Sequence, residues 1–236
     1  MNIPVLLPKV FNYPLTYNSE NKAIKSGDLV EVPFGKETTI GVVWDKIHVT
    51  SKNIKIRPIG KIINGITINE SMIKFINWFS TYNITSKGLV LKMCLGDKNN
   101  ITKVEKNEFN QVIIEQNKYI LNDQQKTSLK NLIKFGNKFN ASVLEGVTGS
   151  GKTLVYFERI KEIIKKNKQA LVLLPEIFLT TQFKERFHDF FGFNPAIWHS
   201  KITQKNKRKL WQGITINKIK LVIGARSSLL LPFKNL

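Results

Sequence analysis

Residues 145–153 read E-G-V-T-G-S-G-K-T, and this stretch decides the fold of the second half of the chain. It holds the whole G-x-x-x-x-G-K-[ST] pattern, from Gly146 to Thr153. Gly146, Gly149 and Gly151 allow backbone conformations closed to residues with side chains, so successive N–H groups around Thr148 and Ser150 can turn inward on a phosphate. Lys152 then reaches the β- and γ-phosphates as a point charge, and the Thr153 hydroxyl is a ligand for Mg²⁺. The flanks supply the context. Ala141–Leu144 is a short apolar run that predicts a strand, and Leu154, Phe157, Ile160 and Ile164 recur at helical spacing after the loop. Strand, glycine loop and helix N-terminus in that order aim the helix dipole at an anion. A glycine turn between two core elements would need neither flank. The stretch is read as a nucleoside triphosphate site, with ATP and Mg²⁺ as its ligands.

The 236 residues suffice for two domains. Hydrophobic residues make up 42% and charged residues 23%, as in an ordinary globular protein. The single cysteine, Cys94, excludes a disulfide framework and a multi-cysteine zinc site built from these residues. The N-terminus lacks the basic start and apolar core of a signal peptide, and no apolar run approaches membrane-spanning length, so a cytoplasmic protein with no membrane partner is expected.

The net charge is +20. Lysine accounts for 32 of the 37 basic residues, beside abundant Asn and Ile, which reads partly as a coding bias. The distribution says more, since residues 1–119 carry +6 and residues 120–236 carry +14. The excess lies in the half with the phosphate loop. Polyanion binding beside a nucleotide pocket is the functional reading, and solubilising charge is the bland one.

Along the chain, residues 1–61 read as short strands with turns: Asp28–Val32 alternates, Thr38–Trp44 is rich in β-branched residues, and Pro33–Gly35 supplies the turn between them. From Asn69 the period becomes helical, with Met72, Phe75, Ile76 and Phe79 on one face and either Asn69 or Ser71 as cap. A second helix is expected near Leu89–Leu95. Residues 1–96 thus form a small β-rich domain. The polar stretch 97–118, apolar only at Val112–Ile114, reads as a linker with room for one short strand.

The second domain, 119–236, opens on a helix capped by Asn122 with Leu129, Leu132 and Ile133 on its apolar side. Ala170–Leu174 is a continuous apolar run, expected to be a strand buried on both faces of a parallel sheet. Leu179, Phe183, Phe187 and Phe190 make the next helical face, and further strands are expected at Ala196–Trp198 and Lys220–Ile223 with a basic helix at Thr203–Trp211 between them. Alternating strands and helices give an α/β layer structure whose functional loops follow the strands. Those loops carry Thr180, Thr181, Arg226, Ser227 and Ser228, donors of the kind that hold phosphodiester oxygens. Taken alone, Thr180 reads equally well as a helix cap and Arg226 as the cation of a structural ion pair.

The ordered series L-N-D-Q-Q (121–125), G-V-T-G-S-G-K-T (146–153), L-V-L-L-P-E-I-F-L-T (171–180), H-S (199–200), Trp211 and I-G-A-R-S-S-L-L-L-P-F-K-N-L (223–236) resembles the first motor lobe of superfamily 2 helicases. More narrowly, it resembles the primosomal replication-restart helicases, the PriA family. Phe11-Asn-Tyr13, Gly27–Lys36 and Ile40–Val43 are similar to that family's 3′-DNA-binding domain. The resemblance implies a β-rich DNA-binding domain followed by a RecA-like P-loop lobe with a parallel sheet, incomplete at its C-terminal side. It implies that Gln125 reads adenine, and that Thr180, Arg226 and Ser227 contact DNA. Phe11, Asn12, Tyr13 and Lys36 would hold the 3′ end of a nascent strand. It further implies 3′-to-5′ ATP-dependent DNA unwinding at stalled forks, with forked and single-stranded DNA and other primosome proteins as partners.

The sequence departs from the family pattern at three places. Asn12 stands where the family usually has aspartate. The stretch 97–118 is too short for the family's winged-helix domain. No two acidic residues are adjacent, whereas hydrolysis needs a carboxylate pair after a later strand. The sequence ends at Leu236, before that strand, the second lobe and the zinc-binding cysteines, so an N-terminal fragment or truncated reading frame, without ATP turnover of its own, is expected. The alternatives are a non-catalytic module for DNA 3′ ends and nucleotide, and a small-molecule P-loop kinase, which would put its loop nearer the N-terminus and carry a lid.

Overall fold

The computed structural model describes residues 1–45, 56–102, 119–135, 139–175 and 181–236. Strands β1 (Asn2–Leu6), β2 (Leu15–Asn18), β3 (Asp28–Phe34), β4 (Glu37–Val43) and β5 (Ile62–Thr67) come first, then helices α1 (Glu70–Tyr82), α2 (Lys87–Leu95) and α3 (Asn99–Thr102). After them come α4 (Asp123–Lys134), α5 (Lys152–Lys165), β6 (Ala170–Leu173), α6 (Thr181–Phe191), β7 (Ala196–Trp198), α7 (Gln204–Thr215) and β8 (Leu221–Gly224). No described helix is long and apolar enough to cross a membrane. The chain divides into two compact units, one of Met1–Glu108, Ile202–Lys218 and Leu229–Lys234, the other of Phe109–Lys201, Ile219–Ser228 and Asn235–Leu236.

The first unit is built on an antiparallel sheet in the order β2-β1-β4-β3-β5. Period-two alternation places Ile3 and Val5 of β1 in one buried cluster with Val30 and Val32 of β3 and Val43 of β4. The intervening Leu6, Leu29 and Val42 are buried as well, so the sheet has two covered faces. The β3–β4 hairpin forms as the sequence predicts, but its turn is Gly35-Lys36 rather than Pro33–Gly35. Pro33 pairs with Thr38 inside the ladder. β5 pairs only with Asp28–Val30, so Pro33 lies where β3 has no second partner and its missing N–H is harmless. Gly35 takes φ +62°, the left-handed value this tight reversal requires.

Of the two candidate caps for α1, Asn69 is the one used: its Oδ1 accepts the Met72 N–H at 2.8 Å. The opening of the stretch read as a linker is helical, and Asn100 and Ile101 in α3 are buried. The expected strand at Val112–Ile114 lies outside the described residues. α7 packs in this unit too: the Trp211 indole, 1% exposed, donates to the Cys94 carbonyl at 2.9 Å, and Gln212 Nε2 donates to the Asn100 carbonyl at 2.9 Å. Burial pushes the Cys94 thiol up to about 12, so it is an inert apolar group here.

The second unit carries a parallel sheet in the order β6-β8-β7. β8, with a partner on each side, is buried along its whole length. Ala170–Leu173, expected to be the doubly buried strand, is instead an edge with one neighbour among the described strands, and Leu173 is 44% exposed. The core packs Phe157, Ile160 and Ile164 of α5 against Phe187, Phe190 and Phe191 of α6 and Leu221 and Ile223 of β8. Phe187 and Phe191 stack at 4.3 Å between centroids, and Phe157 stands edge-on to both.

Residues 141–144 are not a strand. Val143 is 93% exposed, and none of the described strands lies alongside this run. Strand structure is a pairing state, because extended backbone needs a ladder to satisfy its N–H and C=O groups, and apolar composition alone does not supply one.

Candidate functional site

The glycine loop is held from two sides. On one side, α4 is capped by a reciprocal box: Asn122 Oδ1 accepts from the Gln125 N–H at 2.9 Å, and Gln125 Oε1 accepts from the Asn122 N–H at 3.0 Å. The same Gln125 side chain donates from Nε2 to the Ser150 carbonyl at 3.1 Å, which ties α4 to the loop. On the other side, Gly151 stands at the N-cap of α5 with φ +79°, and Gly149 takes φ +84°. A Cβ on Gly151 would come within 2.3 Å of Gln125 Nε2, and one on Gly146 within 2.8 Å of Ser150 Oγ. Glycine is required at both for steric reasons beyond dihedral freedom.

A glycine cap brings no side-chain oxygen, so the first N–H groups of α5 are left for an exogenous acceptor. Lys152 is folded back on the loop, its ammonium donating to the Gly146 carbonyl and, at 2.9 Å, to the Val147 carbonyl. Loop and helix line one end of a cavity of about 530 Å³ that includes Thr148, Lys152 and Thr153. This donor set fits a triphosphate: a nest of amides, one ammonium and one hydroxyl, at the positive end of a 14-residue helix. Thr153, the second residue of α5, is the protein oxygen placed to hold a phosphate-bound Mg²⁺. Among the described residues no group of three His, Cys, Asp or Glu is placed to hold a metal.

Sequence reasoning did not single out the other end of that cavity, formed by Tyr119, Arg186 and Phe190. The signal was present in α6, where Arg186 and Phe190 are four residues apart and therefore share a face. Gln125 does not line the cavity.

A second depression, about 720 Å³, lies at the C-terminal ends of β6 and β8 and is lined by Leu173, Leu174, Pro175, Ala225, Arg226 and Ser227. A 3-10 turn, Arg226–Leu230, shapes it: both the N–H and the hydroxyl of buried Ser228 donate to the Ala225 carbonyl. Arg226 and Ser227 are thereby presented to solvent, and no ion pair joins Arg226 to another described residue. Thr180 lies outside the described residues.

In the first unit, Phe11, Asn12 and Tyr13 form one cluster. The rings of Phe11 and Tyr13 are 6.0 Å apart, and Phe11 meets Phe34 edge-on at 5.7 Å, with Lys9 Nζ 5.7 Å from the Phe34 centroid. Asn12 Oδ1 accepts from the Lys87 N–H at 3.3 Å and from Ser80 Oγ at 3.5 Å, at the start of α2. Tyr17 Oη donates to the Pro33 carbonyl at 3.1 Å, and burial raises its pKa against the lowering influence of Arg57. Lys36 is exposed on the β3–β4 turn, which Arg57 braces by donating to the Gly35 carbonyl at 2.9 Å.

Gly88 lets α2 seat on this cluster. Its N–H donates to the Phe11 carbonyl at 2.8 Å, and a Cβ there would meet the Lys9 carbonyl oxygen at 2.1 Å and that of Leu7 at 2.4 Å. Gly88→Ala should therefore destabilise the protein by about 1–3 kcal/mol, since backbone must move to make room. A thermal melt equal to that of the parent would refute the packing.

Comparison with known proteins matches both halves. Residues 1–96 match the PriA family model described as 3′DNA-binding domain (3′BD), and residues 118–235 match that described as type III restriction enzyme, res subunit. The chain is 40% identical over 238 residues to the replication restart protein PriA of Rickettsia conorii, covering 98% of this chain and 35% of that protein. It is 34% identical over 225 residues to the replication restart protein PriA of Helicobacter pylori strain J99, covering 94% and 34% respectively. A shorter match to that of Bacillus subtilis is 45% identical over 94 residues. The chain thus spans about a third of the length of the relatives that it matches almost from end to end.

Proposed function

The chain belongs to the PriA replication-restart family, with that family's 3′DNA-binding domain followed by a helicase-like domain, and from that premise we propose that it is the nucleotide- and DNA-gripping part of an ATP-dependent 3′-to-5′ DNA helicase acting at stalled forks in the cytoplasm. The observation that carries the nucleotide half is the loop itself: Lys152 and the uncapped start of α5 meet at the mouth of one cavity. ATP is the ligand, held by the amides of residues 146–153 and by Lys152, with Mg²⁺ on Thr153. Gln125 keeps the loop in shape, and its remaining N–H is available to an adenine edge.

DNA is held at two places. Arg226 and Ser227, together with Thr180, contact the backbone of a single strand without reading sequence. Phe11, Asn12, Tyr13 and Lys36 hold a 3′ end, the aromatic rings against the terminal base and the cation against phosphate. A forked substrate offers both, and other primosome proteins are the expected partners of the complete assembly. The sequence contains no two adjacent acidic residues, which favours, for this chain by itself, grip on DNA and nucleotide without turnover.

Binding to a 3′-ended single strand, followed by fluorescence anisotropy, tests the DNA half. Affinity should fall steeply with salt, because each neutralised phosphate releases counterions. Phe11→Ala should weaken it about tenfold, the cost of one lost base stack. Affinity independent of salt, or equal loss on strands whose 3′ ends are free and blocked, would refute the assignment.

A further inference from the structure

One end of the cavity at the glycine loop is made by residues outside the loop. Tyr119, ahead of α4, is 43% exposed and lies parallel to Phe190, with centroids 5.9 Å apart and planes inclined by 15°. Phe190 is itself only 4% exposed and packs in the core of the unit, with Lys161 Nζ 5.9 Å from its centroid. Tyr119 is therefore a plate seated on a fixed ring, with its remaining surface at the cavity that also holds Lys152 and Thr153. Arg186 lines the same end. Gln125, by contrast, spends its acceptor on the Asn122 N–H and one donor on the Ser150 carbonyl, and it does not line the cavity.

We propose that the base of the bound nucleoside triphosphate stacks on Tyr119, and that this plate, rather than hydrogen bonding to the base edge, supplies most of the affinity of the site for the base. The proposal rests on the phosphate-loop reading above. A ring face is indifferent to the identity of the base, because every base presents a π-face. The site accordingly accepts purine nucleoside triphosphates with little distinction between them.

The test is isothermal titration of the whole chain, with Mg²⁺ present, by ATP, GTP and inorganic tripolyphosphate. Tyr119→Ala should weaken ATP and GTP by the same factor, about tenfold, and leave tripolyphosphate unchanged, while Tyr119→Phe should behave as the parent. Unchanged ATP affinity in Tyr119→Ala would overturn the proposal, as would a loss confined to ATP or a matching loss for tripolyphosphate. Lys152→Ala separates the two layers. If it weakens tripolyphosphate while Tyr119→Ala changes nothing, the stack is wrong and the phosphate loop stands; if it leaves all three ligands untouched, the loop reading fails first.

Discussion

Lys152→Ala should raise the dissociation constant for ATP on the order of a hundredfold or more, with the melting temperature of the free protein nearly unchanged. Both halves of that expectation come from what the ammonium touches. In the free protein it donates to two neutral carbonyls, those of Gly146 and Val147, at a site open to water. Water replaces it there at little cost. Against a triphosphate the same ammonium makes charge-assisted bonds to anionic oxygens, each contributing about 1.5–3 kcal/mol, and 1.4 kcal/mol is a factor of ten. Two such bonds give the hundredfold. Titration of parent and variant with a fluorescent ATP analogue, alongside a thermal melt, checks it, and retained affinity would remove the basis for calling this loop a nucleotide site.

The largest effect on stability should come from Trp211→Ala, a loss of about 3–5 kcal/mol, which for a chain of this size lowers the melting temperature on the order of 10 °C. The indole is 1% exposed, so truncation leaves a cavity, and the Cys94 carbonyl loses its donor in a place water does not reach. Trp211→Phe separates the two contributions, filling part of the volume without restoring the N–H. It should fall between the parent and the alanine variant. An alanine variant that melts with the parent would mean that α7 does not depend on this contact.

What the sequence disclosed was mostly local. The capping box shows in the spacing of Asn122 and Gln125, the hairpin in the β-branched run at Thr38–Trp44, and the phosphate loop in its glycines. These are interactions between residues a few positions apart, and their patterns survive whatever the rest of the chain does. The errors lie where distant segments decide. Apolar runs at Ala141–Leu144 and Ala170–Leu174 look alike on paper, yet one has no ladder among the described strands and the other lies at an edge. The position of a strand within a sheet depends on partners that may be fifty residues away, as β6 and β8 are. The site divides in the same way. The glycines, Lys152 and Thr153 were legible from spacing alone, whereas the plate at Tyr119 depends on Phe190, brought to it only by folding.

The anchoring of α7 bears on how this protein can be dissected. An excised piece ending at residue 96 would retain the carbonyl of Cys94 but lack the indole that covers it, and would expose apolar surface on α2 where a helix from more than a hundred positions later now sits. Limited proteolysis should accordingly release no stable product bounded by the first ninety-six residues; cleavage between the first and second thirds of the chain would leave nicked halves associated through that helix.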